Sequence, residues 1–565
     1  MDFAVPRRGK GKSPRAQNAE WTETRLAVAE SGGEGSEPSM KKGKFVLLLH
    51  AHLPYVRHPE HDDFLEEDWF YEAIAETYVP LLRIFERLVA DGAPVRLTMS
   101  ITPTLAAMME DPLLQERAAR HLERSVALAE SEVRRTEGDE VLNSLARFYR
   151  DRFTGARDYF ASRRQRLIPA FRELQDAGFL EIITCAATHG FLPLMADYPQ
   201  AVRAQILVAR DYHTKLFGRP PAGIWLPECA YFPGVEKCLR EADLKWFVLD
   251  AHGLMFGRPQ PRFAIYAPCY TPEGPAVFAR DRDSSRQVWS QEEGYPGDPA
   301  YRDFYRDIGY DLPLDYLRPF LGADGQRKFT GLKYHRITGR TEQKQVYHRP
   351  WAEGAADAHA ADFLAARVRQ FEPLAAEMPL DPVIVSPYDA ELFGHWWFEG
   401  PEFLDLFLRK AAYDQKVFEF TTPSAYLAEN EVLEVVQPCA SSWGNKGYWE
   451  VWLDQSNAWI YPHLHTAARR MTEMARKHSR TRTVWKQDTL QQMARELLLA
   501  QSSDWAFLMR TGTAKDYAAR RTKDHLLRFN RLHDTLAAGR EDKDFLAACR
   551  ERDNIFPDLE WRYYI

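Results

Sequence analysis

The hydrophobic pattern of the chain switches between two periods. Phe45-Val46-Leu47-Leu48-Leu49 is a continuous apolar run, the mark of a strand covered on both faces. From Trp69 onward, Ile74, Tyr78, Leu81, Leu82, Phe85 and Leu88 fall at helical spacing, and Asp91-Gly92 closes that helix before a second strand over 95–101. Strand, helix and strand in this order form a βαβ unit and predict a parallel sheet. Strand character returns at 179–185, 223–226, 245–250, 383–387 and 418–423. Charged helical stretches over 113–129 and 144–174 predict an insertion at about 105–175. A helix opened by Pro199 carries Val202, Ile206 and Leu216 on one side and stops at Gly218 and the prolines 220 and 221. An Ala-rich helix spans about 354–377, and the Gly, Pro and aromatic residues of 256–340 predict long loops over a cleft. Beyond about 430 the pattern is helical to the end.

This layout divides the chain into a leader (1–43), a strand-and-helix region (44–430) and a C-terminal helical domain (431–565). The leader mixes Arg7, Arg8, Lys10, Lys12 and Arg15 with Gly, Ser and Glu and has no apolar periodicity, which predicts disorder; Met40 is a candidate start. The whole chain, 565 residues, exceeds the roughly 250 to 300 residues of a single core. A net charge of −7 gives no general reason to bind nucleic acid. No apolar run approaches the roughly 20 residues of a membrane span, and residues 1–43 lack a signal-peptide core. Six scattered cysteines form no CxxC pair, so the expected location is the cytoplasm, with reduced thiols. Aromatic residues make up 13%, with 15 Trp, and flat apolar rings with a polar edge suit stacking on sugar rings.

Candidate chemistry gathers at the strand ends. The first apolar run delivers His50 and His52, the run at 179–185 leads to His189, and Gly223-Ile224-Trp225-Leu226-Pro227 ends in the lone carboxylate of Glu228. Lys245-Trp246-Phe247-Val248-Leu249 ends in Asp250 and His252, and Val383 to Tyr388 ends in Asp389, with His395 and Trp396 beyond. A parallel barrel brings the C-terminal ends of its strands to one rim, so these residues are expected to meet, with Glu228 and Asp389 facing each other across a sugar-binding cleft. Three chemistries fit such a rim. Two carboxylates suit a retaining glycoside mechanism. His50 and His52 with an acidic residue suit a metal-dependent hydrolase or deacetylase. In a non-catalytic glucan-binding protein the aromatics would matter and the carboxylates would merely hydrogen-bond sugar hydroxyls.

With these residues in view the sequence resembles glycoside hydrolase family 57, in particular its α-1,4-glucan branching enzymes. The motifs are His50-Ala51-His52-Leu53-Pro54-Tyr55, Thr188-His189-Gly190-Phe191-Leu192-Pro193, Trp225-Leu226-Pro227-Glu228-Cys229-Ala230-Tyr231 and Ser386-Pro387-Tyr388-Asp389-Ala390-Glu391-Leu392-Phe393-Gly394-His395-Trp396, in the family's order. Gln287-Val288-Trp289-Ser290, Gly294-Tyr295-Pro296-Gly297-Asp298 and Trp443-Gly444 extend the resemblance over about 44–560. It implies an α/β fold, an incomplete (β/α)7 barrel with a helical insertion and a C-terminal all-helical domain. It implies Glu228 as nucleophile and Asp389 as general acid/base, acting on α-1,4-glucan with neither metal nor cofactor. His50, His52 and His189 would line the subsite of the scissile bond. Trp289, Trp443 and Trp452 would be stacking platforms. Beside what the resemblance implies, Trp225, Asp250, His252, His395 and Trp396 are candidates for further substrate contacts from their place in the strand-end motifs. Branching members close the site with a tyrosine-bearing loop. The matching region here, about 251–288, is short, with Tyr266 and Tyr270 as the candidates, so the expected activity is branching with a substantial hydrolytic side reaction, or else an α-amylase-type hydrolysis.

Overall fold

Strand β1 (Gly43–Ala51) is buried along its whole length, as its apolar run requires. The computed structural model describes residues 42–290, 293–322 and 325–565, so the expected basic leader lies outside the described residues apart from Lys42 and Gly43. Eight further strands follow: β2 (Leu97–Ile101), β3 (Leu180–Cys185), β4 (Gly223–Trp225), β5 (Trp246–Leu249), β6 (Cys269–Tyr270), β7 (Ala276–Ala279), β8 (Val383–Asp389) and β9 (Phe418–Phe420). They form one sheet in the order β6-β7-β5-β4-β3-β2-β1-β8, with β9 beside the first residues of β1. Every pairing is parallel except that of β6 with β7. The sheet curls until β7 meets β8 through a bridge between Arg280 and Val385, where the Asp281 N–H donates to the Val385 carbonyl at 2.8 Å. The expected incomplete barrel of seven parallel strands is thus present, its seam held by that bridge.

Side-chain alternation along β1 sorts the core into two layers. Val46 and Leu48 point inward and pack with Ile183, Cys185, Trp225, Trp246, Val248, Phe278 and Val385 in the barrel interior. Phe45, Leu47 and Leu49 point outward against the surrounding helices. His50, the next inward position, therefore caps the interior at the C-terminal rim, where it stacks on Trp225.

The insertion is helical as expected, but the 144–174 stretch is two helices, Glu140–Ser162 and Ile168–Asp176. Between them Arg164 and Gln165 take left-handed backbone angles, which no helix continues through. The 256–340 stretch, expected as loops, also holds the β6/β7 hairpin and the helix Arg282–Trp289. The C-terminal helices Tyr461–Lys477, Val484–Ala500, Ser503–Thr511, Lys515–Ala537 and Lys543–Arg552 share one continuous apolar core with the outer layer of the barrel. Among the described residues, no helix is long and apolar enough to cross a membrane.

Polar contacts fix this docking. Arg521 donates to the Tyr55 carbonyl at 3.2 Å, and Tyr55 Oη donates to Asn554 at 2.6 Å. Behind them Arg528 bridges Glu496 (3.0 Å) and Asp553 (2.8 Å), both fully buried, and Glu496 also faces His525 Nδ1 at 2.7 Å. Removing one partner of such a buried pair leaves an uncompensated charge and costs about 3–5 kcal/mol. Asp553→Ala is therefore expected to shift urea unfolding to markedly lower concentration; a midpoint equal to that of the parent chain would remove Asp553 from the set of residues that hold the C-terminal helices.

Candidate active site

In the ring β7-β5-β4-β3-β2-β1-β8, two strands separate β4 from β8 on one side and three on the other. Glu228, just past β4, and Asp389, the last residue of β8, therefore stand at nearly opposite points of one rim. Asp389 lies in register with His50 of β1, which puts the first histidine beside the second carboxylate.

Glu228 sits at φ +62°, Cys229 at φ +49° and His189 at φ +55°, in a backbone region that side chains other than glycine rarely occupy. Such strain persists where surrounding contacts over-determine it, and around Glu228 they do. Trp443 donates its backbone N–H to the Glu228 carbonyl (3.0 Å) and its indole Nε1–H to Oε2 (2.8 Å). Ser503, first residue of the helix Ser503–Thr511, donates its hydroxyl to Oε1 at 3.0 Å. Burial pushes the Glu228 carboxyl up to about 7; the Trp443 and Ser503 hydrogen bonds and the charge of His52 oppose this, and Asp504 adds to it. Asp389 is raised well above the ordinary range by burial and by the negative charges of Glu391 and Glu228, with Arg280 opposing. With Glu228 ionised, Asp389 keeps its proton, so the two carboxyls split into one base and one acid.

The three rim histidines form one cluster. His50 Nε2 and His189 Nε2 are 3.1 Å apart, and His52 and His189 stack with ring centroids 3.8 Å apart. His52 Nε2 meets Asp504 at 3.0 Å; burial works against a charge on His52, but Asp504 outweighs it and the pKa is raised. His50 and His189 are lowered well below the usual value, by burial first and by the neighbouring imidazoles next. One charged imidazole thus lies beside two neutral ones. His50, Cys185 and His189, and likewise His52, His189 and Asp504, are compact enough to be asked about a cation. Their donors are already spent on one another. The His50 and His189 rings, centroids 5.2 Å apart, meet end to end in the geometry of an N–H···N bond, and two nitrogens on one zinc at about 2.0–2.1 Å each would have to part and tilt.

Beside Trp443 opens a cleft of about 650 Å³ lined by Asp250, His252, Arg280, Arg282, Trp289 and Tyr448. Asp250 accepts from Arg280 and Arg282, each at 3.3 Å, and faces His252 Nδ1 at 2.9 Å. Trp289 is 37% exposed, and Phe256 and Tyr448 also show their rings to solvent, so this wall has the flat apolar faces that a sugar stacks on.

Several expected contacts lie elsewhere. Trp452, expected as a platform, is 1% exposed: it stacks on Phe191 at 4.5 Å, and Gly444 packs so close that a Cβ there would collide with its ring, so it is core. Trp225 is likewise fully buried, between His50 and Trp443, each 4.9 Å away, and forms the floor beneath the site. His395 binds Glu76 at 2.8 Å and Trp396 stacks on Phe304 at 4.7 Å, in a network of their own. Burial raises Glu76, but His395 and Arg302 outweigh it and hold it near 2. Neither candidate lid tyrosine reaches the rim. The Tyr266 carbonyl accepts from Val383, where β8 begins, and Tyr270 pairs with Ala276, where β7 begins, so both lie at the opposite end of the barrel.

The structure adds residues that sequence reasoning missed. Tyr78 donates to Glu391 from a π-helical turn over Ile74–Tyr78, and Glu391, raised by burial to about 7, also accepts the His52 backbone N–H at 3.1 Å. Ser503 and Asp504 come from the C-terminal helices, where Ser502-Ser503-Asp504 reads in sequence as ordinary helix capping. A π-turn is a frequent mark of a functional site but leaves no sequence signature of its own here.

Comparison with known proteins places these features in a family setting. Residues 46–437 match the family described as Glycosyl hydrolase family 57, and residues 463–564 match one described as 1,4-alpha-glucan branching enzyme, C-terminal. A 1,4-alpha-glucan branching enzyme of Thermococcus kodakarensis is 35% identical over 553 residues, 91% of this chain and 77% of that protein. Among solved structures, the α-amylase AmyC of Thermotoga maritima superposes with a TM-score of 0.87 at 44% identity, covering 93% of this chain and 99% of its own. A GH57-type branching enzyme of Pyrococcus horikoshii superposes with a TM-score of 0.83 at 34% identity, covering 93% and 97%.

The two tryptophan environments give opposite expectations. Trp289→Ala removes an exposed stacking face worth on the order of 1 kcal/mol, so KM for long glucans should rise about fivefold with unfolding unchanged. Trp452→Ala empties a buried indole site and should cost about 3–5 kcal/mol of stability. Thermal unfolding alongside amylose kinetics separates them; a Trp452→Ala protein as stable as its parent and altered only in KM would restore the platform role.

Proposed function

Because the chain belongs to glycosyl hydrolase family 57, we propose that it is a retaining 1,4-α-glucan branching enzyme that works through a covalent intermediate on Glu228. The two carboxyls at opposite points of one rim, each in an environment suited to a different protonation state, carry this reading. Ionised Glu228 attacks the anomeric carbon of an α-1,4-linked glucose while Asp389 gives its proton to the departing glycosidic oxygen. The severed chain leaves with a free 4-hydroxyl, and a glycosyl ester remains on Glu228. Asp389, now ionised, takes the proton of a 6-hydroxyl on a second glucan as that oxygen displaces Glu228, which forms the α-1,6 branch. Water in place of the 6-hydroxyl gives hydrolysis by the same steps.

His50, His52 and His189 are assigned to the sugar at the scissile bond, with the His52–Asp504 pair as a fixed charge beside it. Trp289 and Trp443, with Asp250 and His252, are assigned to the glucan-binding wall. The match to a branching-enzyme C-terminal family and the relatives named as branching enzymes favour transfer. The amylase name of another relative and the far-end placement of Tyr266 and Tyr270 favour a hydrolytic side reaction. Six unpaired cysteines agree with work in a reducing compartment, and glucan storage in the cytoplasm is the setting we assign.

Glu228→Ala and Asp389→Ala are each expected to remove nearly all turnover of amylose without unfolding, with the double variant little worse than either; substantial turnover by Glu228→Ala sinks the nucleophile. The product is expected to show α-1,6 signals in proton NMR together with some new reducing ends. Reducing ends without any α-1,6 signal would make the enzyme a hydrolase. EDTA should leave both activities unchanged.

Activity needs Glu228 ionised and Asp389 protonated. kcat/KM should therefore fall below a pH of about 7 as Glu228 takes up its proton, and fall again at higher pH as Asp389 loses its own. A profile flat from pH 5 to pH 7 would contradict the environment assigned to Glu228.

A further inference from the structure

Four hydrogen bonds run in line from the barrel sheet to the Glu228 carboxylate, and donor and acceptor chemistry fixes the direction of each. An ionised carboxylate only accepts, so Ser503 Oγ, 3.0 Å from Oε1, must spend its single proton there. Ser503 Oγ then has only lone pairs for His189 Nδ1, 2.8 Å away, so His189 carries its proton on Nδ1. A neutral His189 protonated on Nδ1 offers a bare Nε2, and His50 must donate to it from its own Nε2 across 3.1 Å. His50 Nδ1 is left as an acceptor for Ser100 Oγ at 3.2 Å; the competing acceptor for that hydroxyl, the Thr184 carbonyl, is farther away at 3.5 Å. Every proton in the line points toward Glu228.

We propose that Ser503 is a positioning residue through which this line of hydrogen bonds, and with it the C-terminal helical region, holds Glu228 as a ready nucleophile. The inference rests on Glu228 being the nucleophile. Ser503 touches neither the reacting carbon nor the leaving oxygen; it acts through the carboxylate and the imidazole it joins. Its own place is set from the barrel, because the Ser503 backbone N–H donates to the His189 carbonyl at 2.9 Å. The connection therefore runs both ways between His189 and Ser503, and undocking of the helix Ser503–Thr511 would release Glu228 and His189 together.

The charged and titratable groups facing Glu228 come from every side of the rim: His52 from the end of β1, neutral His189 beyond β3, Asp389 at the end of β8 and Asp504 beside Ser503. Asp504 and Asp389 disfavour a charge on Glu228 and His52 favours it, and burial is the largest effect against it. The Ser503 hydroxyl and the Trp443 indole are the direct donors that offset burial. Without the hydroxyl, Glu228 ionises at higher pH, and the loss of activity is largest where the carboxyl is already partly protonated.

The test is the pH profile of kcat/KM on amylose for Ser503→Ala, Ser503→Thr and Ser100→Ala, with Glu228→Ala alongside. Ser503→Ala is expected to move the acid limb up by about one pH unit, so that activity falls about tenfold near pH 6 and less than about twofold near pH 8. Ser503→Thr keeps a hydroxyl and should return the limb to its original place. Ser100→Ala frees the far end of the line without touching the C-terminal helices and should move the limb the same way by a smaller step; it decides the matter should Ser503→Ala not fold. Loss by the same factor at every pH, unshifted limbs, or a Thr variant that behaves like the Ala variant overturns the proposal. Turnover by Glu228→Ala would instead overturn the nucleophile assignment on which it rests.

Discussion

A carboxylate taken out of water must be met by donors or it takes a proton, and the architecture around Glu228 answers that requirement. Its two oxygens are supplied from positions 215 and 275 residues farther along the chain, by Trp443 and Ser503. Neither donor belongs to a barrel strand. The barrel alone would present Glu228 at a strand end in an apolar setting, above Trp225 and Cys229, where burial favours the neutral acid. The C-terminal region turns that buried acid into a group that shares its charge with two hydrogen bonds. This explains why its helices share a continuous core with the barrel: a loosely tethered domain would not hold a hydroxyl within 3.0 Å of a carboxylate.

The same constraint decides what was legible in the sequence. The apolar run before His50 and the strand that ends at Glu228 are local patterns, and the barrel follows from their order, so the rim and its two carboxylates were visible from period and position. What completes the site is not local. Ser503 and Asp504 look like a helix cap until the helix docks, and Tyr78 looks like one more apolar position of an amphipathic helix until a π-turn aims its hydroxyl at Glu391. Trp452 carries the opposite lesson. It is close in sequence to Trp443, but only the packing of Phe191 and Gly444 against it tells core from platform. Tyr266 and Tyr270 fall in the expected segment, yet the hairpin returns the chain to the foot of the barrel before either could lean over the rim.

The histidine cluster shows how charge is distributed without a metal-like arrangement. Two imidazoles are neutral because burial and each other's proximity make a second and third charge expensive, and the third is charged because Asp504 lies against it. The site thus holds one fixed ion pair and a line of neutral, directional hydrogen bonds. That arrangement suits a reaction whose charge appears on the sugar ring only in the transition state: directional dipoles already in place cost no reorganisation when the positive charge develops. The Gly394 turn shares in this order at a distance. With φ +119° its Cα lies so close to the Glu76 carbonyl that any side chain would collide, which locks the segment after Asp389 onto the π-turn that carries Tyr78.

In the proposed mechanism the division between branching and hydrolysis lies downstream of the carboxylates, since both outcomes would discharge the same ester with the same base. Water is present at tens of moles per litre, so a glucan hydroxyl wins only if the protein holds it at a far higher effective concentration; well-oriented groups can reach roughly 10⁵ M or more. Holding requires a wall, and the wall proposed for it is the cleft beside Trp443, where Trp289, Tyr448 and the Asp250–Arg280–Arg282 set bring carboxylate and guanidinium groups suited to several sugar hydroxyls. The wall is formed by the helix that ends at Trp289 and by the loop that carries Trp443, and that loop is also bonded to Glu228. With Glu228 as the proposed nucleophile, an acceptor lying on Trp443 would press on the residue that fixes it. In the proposed mechanism, acceptor binding and the geometry of the glycosyl ester would be coupled through a single indole, and a looser acceptor would leave both the hydroxyl and the ester less well aimed, which is the condition under which water gains.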